Sequence, residues 1–413
     1  MTDITRRGPS SRQTNPPRES FTWALYALVL TCAILQAGVG GMLPFIAADF
    51  SMSHTVQSLH ITAMGSGGLI MGLLAERIRR RIGRHAMLIG AALFSVVAAA
   101  LLAGARSPAW SISALALAGV SVTTILIVGQ AHLVARYGGA APRMIGEVNL
   151  AYSIGAVLAT FGLPVLVSAI LGWRMLPLIQ AVALLLVIPM LLRGRHGVDA
   201  GPPEASRVVI LQVLRRPRMA YLAMCLSVAV EWSFLFWLAT NLVSVGGLNA
   251  ITAATATAVM WATILVLRAI GSRLLASFGG GPVLTGSLIV TIAAAVVLQQ
   301  AETVPRAMAA AVLAGAAIAN LYPASIALVV SGFPHRTDHA VARTTLLSSS
   351  TLILFPLLLG WLADTEGLDV AFWLVPAAAL LALAAVRLAG SSRPTLTLPA
   401  SSGLASLNKG EII

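Results

Sequence analysis

Acidic residues, lysine and cysteine are all scarce in this chain. Only 14 residues are Asp or Glu, Lys409 is the single lysine among 27 basic residues, and Cys32 and Cys225 are the only cysteines. Both cysteines lie inside apolar runs, so they read as small packing residues and supply no disulfide framework. The lone lysine stands near the end of the chain, no Gly-x-x-x-x-Gly-Lys-Ser/Thr phosphate loop exists, and nucleotide-driven work is not expected. No His/Cys/Asp/Glu cluster has metal-ligand spacing and no Ser/His/Asp arrangement is readable, so neither metal, cofactor nor hydrolytic catalysis is expected. Charged residues make up only 10% of a chain that is 58% hydrophobic, with mean hydropathy +0.89. That leaves too little polar surface to coat a soluble globule.

What is abundant is apolar sequence in runs of bilayer length. A hydrocarbon core about 30 Å thick takes about 20 helical residues to cross. Twelve stretches are of this order: 23–45, 56–75, 86–105, 112–135, 145–170, 173–192, 219–243, 251–275, 283–299, 307–330, 344–363 and 370–388. In lipid every backbone polar group must be bonded internally, and runs this continuous fit helices rather than alternating strands of about 10 residues. The expected fold class is an all-α integral membrane protein with twelve transmembrane helices.

A formal charge of +13 would suit nucleic acid if it formed one face, and it does not. Arg6, Arg7, Arg12 and Arg18 precede the first run; Arg77, Arg79, Arg80, Arg81 and Arg84 follow the second, and Arg136 and Arg143 the fourth. Arg193, Arg195, Arg207, Arg215, Arg216 and Arg218 follow the sixth, Arg273 the eighth, Arg336 and Arg343 the tenth, and Arg387, Arg393 and Lys409 the last. The alternate gaps hold only Arg106, Arg174 and Arg306, together with Asp49, Glu302, Asp364, Glu366 and Asp369. By the positive-inside rule the arginine-rich side is cytoplasmic and both termini lie there, in the cell (inner) membrane, with an even number of spans. The first run is longer than a signal-peptide core, and its removal would leave an odd number of spans with the wrong sidedness, so it is expected to stay.

The longest internal connection, 193–218, divides the runs six and six. The expected organisation is a disordered tail (1–20), a six-helix bundle (21–193), a cytoplasmic linker (194–218), a second six-helix bundle (219–389) and a disordered tail (390–413). Within the linker, 207–216 reads either as flexible chain or as a short amphipathic surface helix. Gly65, Gly68 and Gly72 lay a small-residue stripe along the second span, suited to static packing or to a moving contact.

After the second span the chain reads Gly72-Leu-Leu-Ala-Glu76-Arg77-Ile-Arg79-Arg80-Arg81-Ile-Gly83-Arg84-His85. This resembles the loop signature of the major facilitator superfamily, with about four extra residues between Arg77 and Gly83. Gly271-Ser-Arg273 leading to Gly279-Gly-Gly281 is a degraded copy in the second half. Arg143-Met-Ile-Gly146-Glu147-Val-Asn149, Gly172-Trp173-Arg174 and Gly360-Trp-Leu-Ala-Asp364 are similar to family fragments in the same order. The resemblance implies two six-helix bundles around a central cavity that rock between two open states. It also implies a cytoplasmic gate of Gly72, Glu76, Arg77, Gly83 and Arg84, with Glu76 and Arg77 forming a charge lock between helices. The family's antiporter signature is not matched, since Gly155, Gly162 and Pro164 lack its spacing and final glycines.

The seventh span reads Ala229-Val-Glu231-Trp232-Ser-Phe-Leu-Phe-Trp237-Leu-Ala-Thr-Asn241. A glutamate at mid-membrane depth costs roughly 2.5–3.5 kcal/mol on insertion scales, so it should face a cavity or a partner. Proton coupling, a substrate hydrogen bond and a structural partner are the three readings of Glu231. This span, Trp261 to Arg268 in the eighth, and Gly315-Ala-Ala-Ile-Ala-Asn320-Leu-Tyr322-Pro323 in the tenth resemble the fucose/proton symporter branch. Gln36, Asn149, Tyr152, Asn241, Asn320 and Tyr322 are candidate substrate contacts or helix–helix glue. Trp232, Trp237 and Trp261 offer a ring platform for a substrate or face lipid. His60, His85 and His132 lie towards span ends and read as interfacial.

Together these features imply a monomeric secondary transporter of a small organic solute, with protons as the coupled species and Glu231 and Arg268 as the proton-coupling pair. An exporter of drugs or metabolites, a membrane-embedded enzyme and a non-transporting sensor are the alternatives. Substrate and direction are not legible at this stage.

Overall fold

The computed structural model describes residues 18–193, 218–331 and 337–391, and every regular element among them is helical. Nearly all of both expected tails and of the linker, including 207–216, lies outside the described residues. The first half comprises α1 (Ser20–Phe50), α2 (His54–Ala103), α3 (Pro108–Tyr137), α4 (Ala141–Ser168) and α5 (Met175–Arg193). The second comprises α6 (Arg218–Ser244), α7 (Ala250–Phe278), α8 (Gly280–Gln299), α9 (Val304–Ile318), α10 (Leu321–Ser331), α11 (Thr337–Glu366), α12 (Leu368–Ala371) and α13 (Leu374–Ser391).

Among the described residues, eleven helical segments are long and apolar enough to cross a membrane, and α2 alone runs for 50 residues. At 1.5 Å per residue it would extend about 75 Å, too far for one crossing. Gly83, at φ 80° and ψ 166°, interrupts it, so α2 holds the second and third spans and the total is twelve. The extra residues between Arg77 and Gly83 do not loop out; they add about one helical turn, and α2 stays helical to Ile82. The tenth span, expected as one helix, is broken between α9 and α10 at Ala319 and Asn320. Elsewhere the starts follow local chemistry: Ser53, Ser107 and Asn249 accept from the backbone N–H of Val56, Trp110 and Thr252.

Lipid-facing positions such as Val165, Leu186, Val266 and Leu354 are apolar and exposed. With no hydrophobic drive between helices in lipid, close backbone approach must carry the packing. In the first half it centres on Gly67 and Gly119, where an added Cβ would lie 2.3 Å from Val120 N and 2.0 Å from Met64 O. The expected stripe behaves differently: Gly65 faces Leu352 of α11, Gly68 lies nearest Thr123 of α3 with Ser349 of α11 farther off, and Gly72 faces open space.

The buried core separates into two clusters. One unites second-half residues with first-half residues remote from the arginines, such as Met42, Ile61, Leu115 and Leu163. The other, including Leu25, Leu88, Ile125 and Val187, contains first-half residues from the arginine-rich end alone.

Candidate functional site

Glu231 lies 13 residues into α6, about 20 Å along a helix of 27 residues, which is mid-membrane depth. It is 7% exposed. From α7, Arg268 brings Nη2 to 3.9 Å from Glu231 Oε1, while its buried Nε has no acceptor. Trp261 stands two turns from Arg268 on the same helix face, and its buried indole Nε1 also lacks a partner. Tyr152 of α4 faces Trp261 with ring centroids 6.2 Å apart and lies within electrostatic reach of Arg268 and Glu231. Tyr322 of α10 reaches Glu231 electrostatically as well. Asn320, at the break before α10, lies against Gly271, one turn beyond Arg268; a Cβ on Gly271 would come within 2.1 Å of its Oδ1.

Gln36 belongs to the same level. α1 and α6 cross where a Cβ on Gly40 would sit 2.0 Å from Leu235 O, and both helices start on the arginine-rich side. One turn back along each are Gln36, whose Oε1 is buried and unbonded, and Glu231. Asn149 is exposed, one turn from Tyr152 towards the arginines. Five helices from both halves thus bring ionisable, aromatic and unsatisfied polar groups to one depth.

Trp232, beside Glu231 in sequence, stacks on Phe236 of its own helix at 5.2 Å. Two expected contacts stand elsewhere. Trp237 is fully buried, 6.1 Å from His54 near the end remote from the arginines. Asn241 donates to Gln299 Oε1 at 3.0 Å, a tie between α6 and α8 near that same end. His60, read as interfacial, is fully buried and joined to Ser111 Oγ at 2.8 Å.

Remote from the arginines, α2 and α11 form a seam between the halves. Asp364 accepts from the backbone N–H of His54 at 2.7 Å and of Thr55 at 2.9 Å, and meets His54 Nδ1 at 3.2 Å. An acid from one half thereby caps a helix of the other, where the helix dipole favours negative charge. A Cβ on Gly360 would be 2.7 Å from His54 O, and Thr62 Oγ1 donates to Ile353 O at 3.1 Å. The seam continues at Gly65, loosens at Gly68, where a Cβ would lie 3.9 Å from Ser349 Oγ, and is open at Gly72. Sequence reasoning misses this role for Asp364; its place within Gly360-Trp-Leu-Ala-Asp364 is the only signal.

At the arginine-rich end, Glu76 bonds Arg79 Nε and Nη2 at 2.7 Å and Arg80 Nε at 2.8 Å, all on its own helix. The expected lock with Arg77 and another helix is not formed in this state among the described residues; Arg77 lines an open groove with Leu73, Leu74 and Arg81. Gly83 makes the break in α2, and Arg84 just beyond it is buried. Arg18 holds Glu147 through Nε at 2.8 Å, and Tyr26 donates to the same carboxylate at 2.9 Å. The hydrogen bond to Glu147 is the main cause that raises the Arg18 pKa above its ordinary value.

The sequence pattern of the Major Facilitator Superfamily matches residues 25–302. An uncharacterized MFS-type transporter of Yersinia pestis is 22% identical over 363 residues, covering 86% of this chain and 93% of that one. Among solved structures, a mutant form of the nucleoside transporter NupG superposes with TM-score 0.76 at 12% identity, covering 89% of this chain and 99% of that one. A bacterial homolog of the human lysosomal transporter Spinster, inward-facing and unoccupied, gives TM-score 0.73 at 16% identity, with 92% and 98% covered. The chain belongs to the Major Facilitator Superfamily and is a multi-pass membrane transporter of its fold.

Proposed function

We propose that the protein carries a small, hydrogen-bonding organic solute by alternating access, coupled to protons through Glu231. The observation that carries this reading is the Glu231–Arg268 pair at mid-depth, 3.9 Å apart, between aromatic and polar side chains of both halves. A proton on Glu231 removes the partner of Arg268 and leaves the guanidinium to an acceptor on the solute. Proton and solute then favour each other's binding, which is the linkage that symport requires. Arg268 Nε, Trp261 Nε1 and Gln36 Oε1 offer two donors and one acceptor to such a solute.

The seam is closed remote from the arginines and open at Gly72, which supports a state open on the arginine-rich side. By the positive-inside rule that side is the cytoplasm, so this is an inward-open state with both termini cytoplasmic, in the cell membrane. The Spinster homolog named above is likewise inward-facing. In the opposite state Glu76 and Arg77 would exchange local partners for contacts across the halves.

Polyhydroxylated solutes come first in a screen, because NupG is a nucleoside transporter and the seventh span resembles a sugar symporter branch. Purified protein in liposomes, acidic outside, should accumulate at least one sugar or nucleoside and lose accumulation when the pH gradient is collapsed. Accumulation indifferent to that gradient would remove the proton from the mechanism.

A further inference from the structure

Where α1 begins, α2 restarts and α3 ends, a cluster of basic side chains takes no part in the transport cycle above. Arg84 is 6% exposed, yet its Nε and Nη1 have no hydrogen-bond acceptor. His132 of α3 has a buried Nε2 without a partner and lies within electrostatic reach of Arg84, His85, Arg136 and Glu19. Phe21 packs against both imidazoles, with ring centroids 5.7 Å from His85 and 4.6 Å from His132. The break at Gly83 adds the start of a helix at the same place, with N–H groups free of intrahelical partners.

Among the described residues, acidic charge does not balance this. Glu19 reaches His132, and it is already bonded by Arg136 Nε at 2.8 Å. A guanidinium taken out of water without a counter-ion is costly. The cluster therefore lacks, among the described residues, the anion that would balance it. Trp23, 54% exposed two residues after Phe21, indicates the source: exposed aromatic side chains at the end of a span favour the level of lipid headgroups.

We propose that Arg84, His132 and the helix start after Gly83 bind one phosphate-type oxyanion, the headgroup phosphate of an anionic phospholipid in the leaflet on the arginine-rich side. Binding there ties α1, α2 and α3 together at an end where the second half contributes nothing to the core.

The full-length protein in detergent can be titrated with phosphatidylglycerol, with phosphatidylcholine and with inorganic phosphate, reading melting temperature and bound lipid by native mass spectrometry. Phosphatidylglycerol should raise the melting temperature saturably and more than phosphatidylcholine does. Arg84→Met should raise its half-saturating concentration about tenfold, the loss expected for a charged hydrogen-bonding partner. If Arg84→Met does not fold, His132→Gln decides, with a weakening of about threefold or more expected. A response to inorganic phosphate alone, lost in the same variant, upholds the oxyanion site and assigns it to soluble phosphate. The proposal is overturned if wild type responds to neither beyond chloride at equal ionic strength, or if the deciding variant responds like wild type.

Discussion

At the end of the molecule remote from the arginines, polar ties run between the halves: Asp364 to His54 and Thr55, and Thr62 to Ile353. At the arginine-rich end, three ties among the described residues lie inside the first half: Arg18 to Glu147, Arg136 to Glu19, and Glu76 to Arg79. The apolar core divides the same way, since the cluster that crosses the halves draws its first-half members from the remote end. The contrast separates two jobs. Ties within a half keep a bundle rigid through the cycle, whereas ties between halves are the ones a change of state must break.

The contrast can be broken at its strongest point by placing bulk in the closed seam. Gly360→Leu puts side-chain atoms where a Cβ alone would be 2.7 Å from His54 O. Overpacking costs about 1–3 kcal/mol, so the closed-seam population should fall about tenfold or more, read from distances between spin labels on α2 and α11. Asp364→Ala should act in the same direction more weakly. Losing a helix cap costs about 1 kcal/mol, equivalent to about a fivefold shift, and the same label pair measures it. Glu76→Gln sharpens the comparison from the other end. Its partners are on its own helix and exposed pairs contribute about 0–1 kcal/mol, so this state should hold its label distances while transport slows through loss of the opposite state's lock. A large loss of the closed-seam population in Glu76→Gln would show that the arginine-rich end already ties the halves.

The helices are legible because apolar length is a one-dimensional signal. Glu231 and Arg268 were legible for a related reason: an ionisable group inside an apolar run stands out whatever it touches. Partners were harder to read. Asp364 at a span end looks like an ordinary interfacial acid, and only the antiparallel register of α11 against α2 makes it a cap across the halves. The Gly67–Gly119 contact was missed in favour of Gly65, Gly68 and Gly72, because spacing on one helix does not say which face meets a neighbour. Asn241 and Trp237 are polar and aromatic at apparently central positions, yet α6 is buried nearly all round and these two face α8 and the remote seam.

The central claim is that Glu231 changes protonation during transport. Once a substrate is found, the decisive measurement is pH-driven accumulation alongside substrate exchange for wild type and Glu231→Gln in the same liposomes. Glutamine keeps the shape of the protonated acid and cannot titrate. The account expects exchange to persist while accumulation under a pH gradient disappears. Glu231→Gln concentrating substrate with the pH dependence of wild type would contradict it.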